Sequence, residues 1–216
     1  FLMHEYAAPT WATFFGLILG SIFILKNEIS TQWRHSLFGF ILLGAMFGFL
    51  IVGLIPIDTP QTWWFIMFCG MVGICAMILP GISGSFIMLI LGKYAYITGA
   101  IKNPFHLESL QIIAIFGVGA VFGLLGFSKF LNYFLKHHRT ATYAILMGIM
   151  MGSLRKVWPW KEVLESKVVR GKVHVLREMN VFPETIGPEV WTAFALMLVG
   201  FVGVICLDKM SKKIAR

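Results

Sequence analysis

The chain has 216 residues, of which 58% are hydrophobic and only 13% charged, and its mean hydropathy is +0.81. A soluble domain of this size cannot hide so much apolar surface, so an all-α polytopic membrane protein is expected. The net charge of +8 does not indicate nucleic acid, because the 18 Lys and Arg lie between apolar runs and in the tail, where membrane proteins set their orientation.

The first expected span is Thr10–Leu25, followed by a polar turn with Lys26, Glu28 and Arg34. The second, Ser36–Ile55, carries Gly39, Gly44, Gly48 and Gly53, small residues that let helix backbones approach closely, and it reads as a packed interior helix. Residues 56–60 (PIDTP) form a tight turn, and Trp63 and Trp64 follow as interfacial aromatics. Two apolar arms, Trp63–Leu79 and Ser85–Ala100, flank a break and are expected to form a re-entrant hairpin. Lys93 reads as an interfacial anchor at the end of the second arm. Leu110–Leu131 is a Gly-rich span, Lys129, Lys136, His137, His138 and Arg139 are expected to form a basic turn, and Ala141–Leu154 is short for a span, since about 20 apolar residues are usually needed. The polar stretch 161–189 alternates Lys, Val, His, Val and Leu at Lys172–Leu176, which suggests a strand of an extramembrane hairpin. Trp191–Leu207 is the last span, and the tail is basic. Cys69, Cys75 and Cys206 lie inside apolar runs with neither metal-ligand nor disulfide spacing, so no metal and no cofactor are expected.

The break itself is Pro80-Gly81-Ile82-Ser83-Gly84-Ser85. Proline removes a helix donor and clashes with the preceding turn, and glycine costs helix stability. At membrane depth such a break is tolerated only where it lines a cavity, because lipid cannot satisfy the freed backbone groups. A helix restarting at Ser85 and running to Tyr94 has free amides and a positive dipole end, and the Ser83 and Ser85 hydroxyls add donors. These features suit an anion, most naturally a phosphate, with Pro80, Gly81, Ser83, Gly84 and Ser85 as the candidate binding residues. The competing reading is a kinked, closely packed span with no ligand.

Shifted by 132 residues, Thr10–Ser21 falls on Thr142–Ser153, with Thr, Ala, both Gly and Ser identical, and Phe1–His4 matches Phe134–His137 with one residue of slack. The expected organisation is therefore 1–62 as the end of a first membrane repeat and 63–160 as a second repeat with the re-entrant hairpin. Residues 161–189 form an extramembrane loop, and 190–216 the last span and tail. A first copy of the phosphate loop is expected upstream of Phe1. Paired repeats with broken helices describe many secondary transporters. With the hairpin re-entrant and five true spans, the charges place the turns at Lys26 and Lys136, and the tail, on the cytoplasmic side.

Ala76–Phe86, then Leu91-Gly92-Lys93-Tyr94, resembles the second signature of the bacterial polyprenyl-phosphate transporter family, and Gly148–Trp160 resembles its downstream signature. Phe15–Ser21 is similar to a mid-chain segment of that family. The family's N-terminal VPGVSGG-type motif is absent here. The resemblance implies a flippase of the bacterial cytoplasmic membrane that returns undecaprenyl phosphate from the outer to the inner leaflet for envelope synthesis, with the lipid and the bilayer as its partners. In such a protein Arg155 is the first choice to compensate the phosphate charge, since its planar fork grips two oxygens, and Lys156 is the second. The competing reading makes both of them interfacial cations beside Trp158 and Trp160.

No catalytic residue is expected. An intramembrane lipid-phosphate enzyme needs a nucleophile with a base, or a metal with carboxylates, and the sequence offers neither pattern. A small-anion transporter using the same helix-terminus chemistry is the other alternative. His137 and His138 titrate near neutrality and are candidate pH sensors, with simple solvation as the commoner role of such residues.

Overall fold

The computed structural model describes residues 7–29, 36–169, 172–183 and 187–214. The Phe1–His4 match, Arg34 in the first turn and Arg216 in the tail lie outside the described residues. Eight helices and one hairpin follow in order among the described residues: α1 (Ala7–Ile29), α2 (Ser36–Val52), α3 (Trp63–Ile78), α4 (Gly84–Ile90), α5 (Tyr94–Lys102), α6 (Leu107–His137), α7 (Arg139–Ser153), β1 (Lys161–Val169), β2 (Lys172–Asn180) and α8 (Pro188–Ile214). Of these, α1, α6 and α8 are long and apolar enough to cross a membrane, α2 and α3 are shorter apolar helices, and α4 and α5 form a pair bent by 115°. The protein is an all-α polytopic membrane protein with one small hairpin. The described helices outrun the expected spans at several ends: α6 extends from Leu107 to His137, well past Leu110–Leu131.

Two compact units divide the chain, one comprising Phe1–Gly53 and Tyr143–Arg216, the other Leu54–Thr142. Glycine contacts organise the first unit. A methyl group on Gly16 would fall on the Met197 carbonyl, and one on Gly20 would lie 2.9 Å from the Phe201 carbonyl. From the other side, a methyl on Gly200 would lie 2.6 Å from the carbonyl of Thr13. Helices α1 and α8 therefore touch backbone to backbone. The contacts ascend together along both helices, so the two run in the same direction. A second crossing joins α2 and α7: Gly148 faces the Ile41 carbonyl, Gly152 that of Ala45, and Gly44 that of Ile145. In a bilayer, helices gain little from burying apolar surface against each other, and such close approach supplies the van der Waals contact that holds them.

The hairpin belongs to this unit. Its strands pair antiparallel from Lys161↔Asn180 to Val169↔Lys172, with an irregularity around Val163 and Glu165. The strand expected over Lys172–Leu176 is part of β2. The hairpin's foot is tied back to the end of α7: the Asn180 amide donates to the Arg155 carbonyl at 2.8 Å, Lys161 Nζ to the Lys156 carbonyl at 2.7 Å, and the Trp158 indole to the Val181 carbonyl at 2.9 Å.

The second unit is built on α3 and α6. A methyl on Gly119 would fall on the Met67 carbonyl, one on Gly70 on the Phe116 carbonyl, and one on Gly123 within 2.5 Å of the Met71 carbonyl. These contacts also ascend together, so α3 and α6 run in the same direction. The intervening residues, 79–106, must then carry the chain back to the end at which α3 began. This is the course a re-entrant hairpin takes, with the α3–α4 break at its tip.

Candidate functional site

Helix α3 ends where its sequence requires. Leu79 leaves the helical region (φ −74°, ψ 125°) with its N–H still donating to the Cys75 carbonyl, and Pro80 cannot continue the ladder. Gly81 takes φ +86°, a left-handed conformation that side chains with a Cβ avoid. Ser83 is extended (φ −98°, ψ 130°) and its carbonyl accepts the Ile87 N–H at 3.1 Å, which starts α4. Ser83 makes no side-chain cap bond. Its hydroxyl instead lies 2.7 Å from that of Ser85, and both residues are exposed. Gly84 between them is buried: a methyl there would lie 2.5 Å from the Gly73 carbonyl and 2.6 Å from Met77 Cγ of α3. Small size at position 84 thus lets α4 press against α3, while the two flanking serines face outward as a hydroxyl pair.

The helix that follows the break is shorter than its sequence suggests. A single arm over Ser85–Ala100 is expected, beginning with a helix that reaches Tyr94, yet α4 stops at Ile90. It is closed by the bond pair of a Schellman motif, the Lys93 N–H to the Met88 carbonyl at 2.9 Å and the Gly92 N–H to the Leu89 carbonyl at 3.0 Å, with Gly92 left-handed at φ +64°. The signal was present as Gly92 after an apolar run, but unbroken hydrophobicity on both sides masked it. With two turns only, α4 contributes less dipole than a long helix would, so more of any anion affinity at the break falls to the hydroxyls and free amides.

Lys93 is the residue whose role the sequence hid. It is not an interfacial anchor: it is 2% exposed, its Nζ donates to the Thr59 carbonyl at 2.5 Å, and the ammonium lies 5.7 Å from the centre of the Phe65 ring. The chain turns at the left-handed Gly92, and the Lys93 side chain that follows it is buried.

Arg155 and Lys156 lie in the first unit, in the turn after α7. The Arg155 guanidinium stacks over Phe49 of α2 at 4.4 Å from the ring centre, and a methyl on Gly53 would lie 3.4 Å from its Nη1. Arg155 is exposed, so one face of the guanidinium rests on the ring while its N–H edge is accessible. The backbone carbonyls of both residues are held by the hairpin foot, which fixes the turn that presents them.

A family model described as undecaprenyl phosphate translocase-like matches residues 1–174. The chain belongs to this family. A protein named polyprenyl-phosphate transporter from Vibrio cholerae is 40% identical over 219 residues, which cover 98% of this chain and 70% of that protein. Another of the same name from Staphylococcus aureus is 32% identical over 172 residues, covering 74% of this chain and 61% of that protein. No solved structure matches the chain. The resemblance read from the sequence motifs therefore holds. Within this translocase-like chain, the Pro-Gly break and the Arg155–Lys156 turn both fall inside the matched region.

Proposed function

We propose that the protein is a flippase that moves undecaprenyl phosphate between the leaflets of the bacterial cytoplasmic membrane, returning the lipid carrier for envelope synthesis. The observation that carries this reading is the exposed Ser83–Ser85 hydroxyl pair, 2.7 Å apart, at a Pro-Gly break in a unit otherwise built of apolar helices. A phosphomonoester cannot cross hydrocarbon with its charge bare, so the protein must replace the water around its oxygens. The pair and the small residues Gly81 and Gly84, with Pro80 opening the helix, offer hydroxyl and amide donors. Arg155 offers a charged fork and Lys156 a point charge, a second set of groups matched to the same headgroup. The isoprenoid tail needs no pocket, because it stays in lipid while the head travels.

The names of the relatives support the substrate class. The two glycine crossings of the first unit support the internal repeat, with 1–62 as the end of the first copy and 63–160 continued by the closing span 190–216 as the second, the stretch 161–189 between them lying outside the membrane. The protein acts as a transporter: it rebinds and releases its lipid with the phosphoester bond intact.

The test is binding of undecaprenyl phosphate to the purified protein, with undecaprenol as control, followed by leaflet exchange in proteoliposomes. Saturable binding of the phosphate lipid, weak binding of the alcohol, and exchange without phosphate release are expected. Equal binding of the alcohol would overturn the headgroup site. Full competition by inorganic phosphate, independent of the tail, would point to a small-anion transporter, and release of inorganic phosphate to an enzyme.

A further inference from the structure

Helix α4 is fastened at both ends, and the fastening at its far end uses a buried charge. At the near end, Gly84 sits against the Gly73 carbonyl of α3. At the far end, the segment Ile57–Thr59 lies against the elbow between α4 and α5. The Ile57 N–H donates to the Ile90 carbonyl at 3.0 Å, and the Thr59 hydroxyl donates to the Leu91 carbonyl at 2.5 Å. Lys93 Nζ donates back to the Thr59 carbonyl, and a methyl on Gly92 would fall on the Ile57 carbonyl. The elbow's freed carbonyls at Ile90 and Leu91 are thus already satisfied by Ile57 and Thr59, as membrane depth demands.

The ammonium is therefore not needed to satisfy the elbow's own backbone. An apolar side chain of equal length would fill the same space without the cost of burying a charge. What the ammonium adds is a directional, charge-assisted tie between the elbow and Thr59, across 34 residues of chain. Because α4 has only seven residues, about 10 Å of rise, a rotation or tilt at its far end is passed rigidly to its start.

We propose that Lys93 is a positioning residue: its ammonium locks the far end of α4 to the Ile57–Thr59 segment and so fixes the direction in which the Ser83–Ser85 pair is presented. The inference rests on the reading of that pair as the phosphate-recognition element, but its first readout does not.

The experiment places a cysteine at Ser83 (Ser83→Cys) in the full chain with exposed Cys206 replaced by serine, and measures its labelling rate by a membrane-impermeant maleimide in native membranes. Lys93→Met, Lys93→Arg and Thr59→Val are compared in that background, with thermal unfolding confirming the fold. In parallel, the same three substitutions without Ser83→Cys are tested for undecaprenyl phosphate and undecaprenol binding. Lys93→Met is expected to change the labelling rate and to lower phosphate-lipid affinity about tenfold, the scale of one lost charge-assisted hydrogen bond, with undecaprenol binding unmoved. Lys93→Arg restores both, and Thr59→Val shifts both in the same direction by less. Wild-type labelling in folded Lys93→Met protein overturns the proposal; if Lys93→Met does not fold, wild-type labelling in folded Lys93→Gln, which also lacks the ammonium, overturns it. A changed labelling rate with unchanged lipid affinity leaves Lys93 as a positioning residue and removes the phosphate reading of the pair instead.

Discussion

Gly44 of α2 and Gly200 of α8 occupy corresponding places in two helix crossings of the first unit. Gly44 faces the Ile145 carbonyl and the Ile149 N–H, whereas Gly200 faces the Thr13 carbonyl and the Leu17 N–H. Ile145 and Thr13 are 132 residues apart, as are Ile149 and Leu17, which is the offset of the sequence match between α7 and α1. Gly200, however, follows Gly44 by 156. The extra 24 residues fall between α7 and α8, where the β1–β2 hairpin stands. The α1–α8 and α2–α7 crossings thus correspond residue for residue once the hairpin is set aside.

This packing makes one helix carry its own control. In α6, Gly119 has no room for a methyl group against the Met67 backbone, whereas Gly117 has nothing within 4 Å. Gly119→Val is expected to destabilise the protein by about 1–3 kcal/mol through overpacking. Gly117→Ala is expected to be neutral or to stabilise by up to about 1 kcal/mol, from helix propensity. Thermal unfolding of the two variants in detergent measures the contrast.

The elbow offers a second matched pair. Gly92→Ala combines a left-handed φ of +64° with a collision at the Ile57 carbonyl and should cost about 1–2 kcal/mol or more, whereas Gly99→Ala in α5 meets no neighbour within 4 Å and should be silent. Proteolysis of the folded protein, or its melting temperature, reports the difference.

Hydroxyls bonded to each other are expected to act as a unit. Ser83→Ala and Ser85→Ala should each lose most of the effect seen in the double variant, a drop in undecaprenyl phosphate affinity of about 1–3 kcal/mol, rather than half of it each. A double-mutant cycle by lipid binding checks this, and strict additivity would show that the hydroxyls contact the ligand independently.

Arg155 is expected to depend on its planar shape as well as its charge. Arg155→Lys keeps the cation over Phe49 but loses the two-pronged grip, so phosphate-lipid affinity should fall nearly as far as in Arg155→Ala. Phe49→Leu removes only the ring beneath the guanidinium, and a smaller loss of about 0.5–1 kcal/mol is expected. If Arg155→Lys matches wild type, the guanidinium serves as an interfacial cation and not as a phosphate ligand.

The sequence made the tip of the hairpin legible, because proline and two glycines inside an apolar run have a backbone meaning wherever they occur. It made the glycine stripes legible for the same reason. The second break was hidden. Leu91, Gly92 and Lys93 sit between apolar arms, and a lone glycine in such a run is read as packing unless the hydrogen bonds that close the helix can be seen. Lys93 was misread as a consequence, since a lysine beside a tyrosine at the end of an apolar stretch has the composition of an anchor. The correspondence of α2 with α8 was masked by the inserted hairpin, which throws a fixed-offset comparison out of register.

The shared direction of α3 and α6 has a consequence for sidedness. The loop before Trp63 and the loop at Asn103–His106 lie at the same end of the unit, with Gln61, Thr62, Pro104 and Phe105 all exposed there. Any water-borne reagent, antibody tag or protease that reaches one loop from a given compartment will reach the other from the same compartment. The stretch between them, however apolar, begins and ends at that one end of the unit.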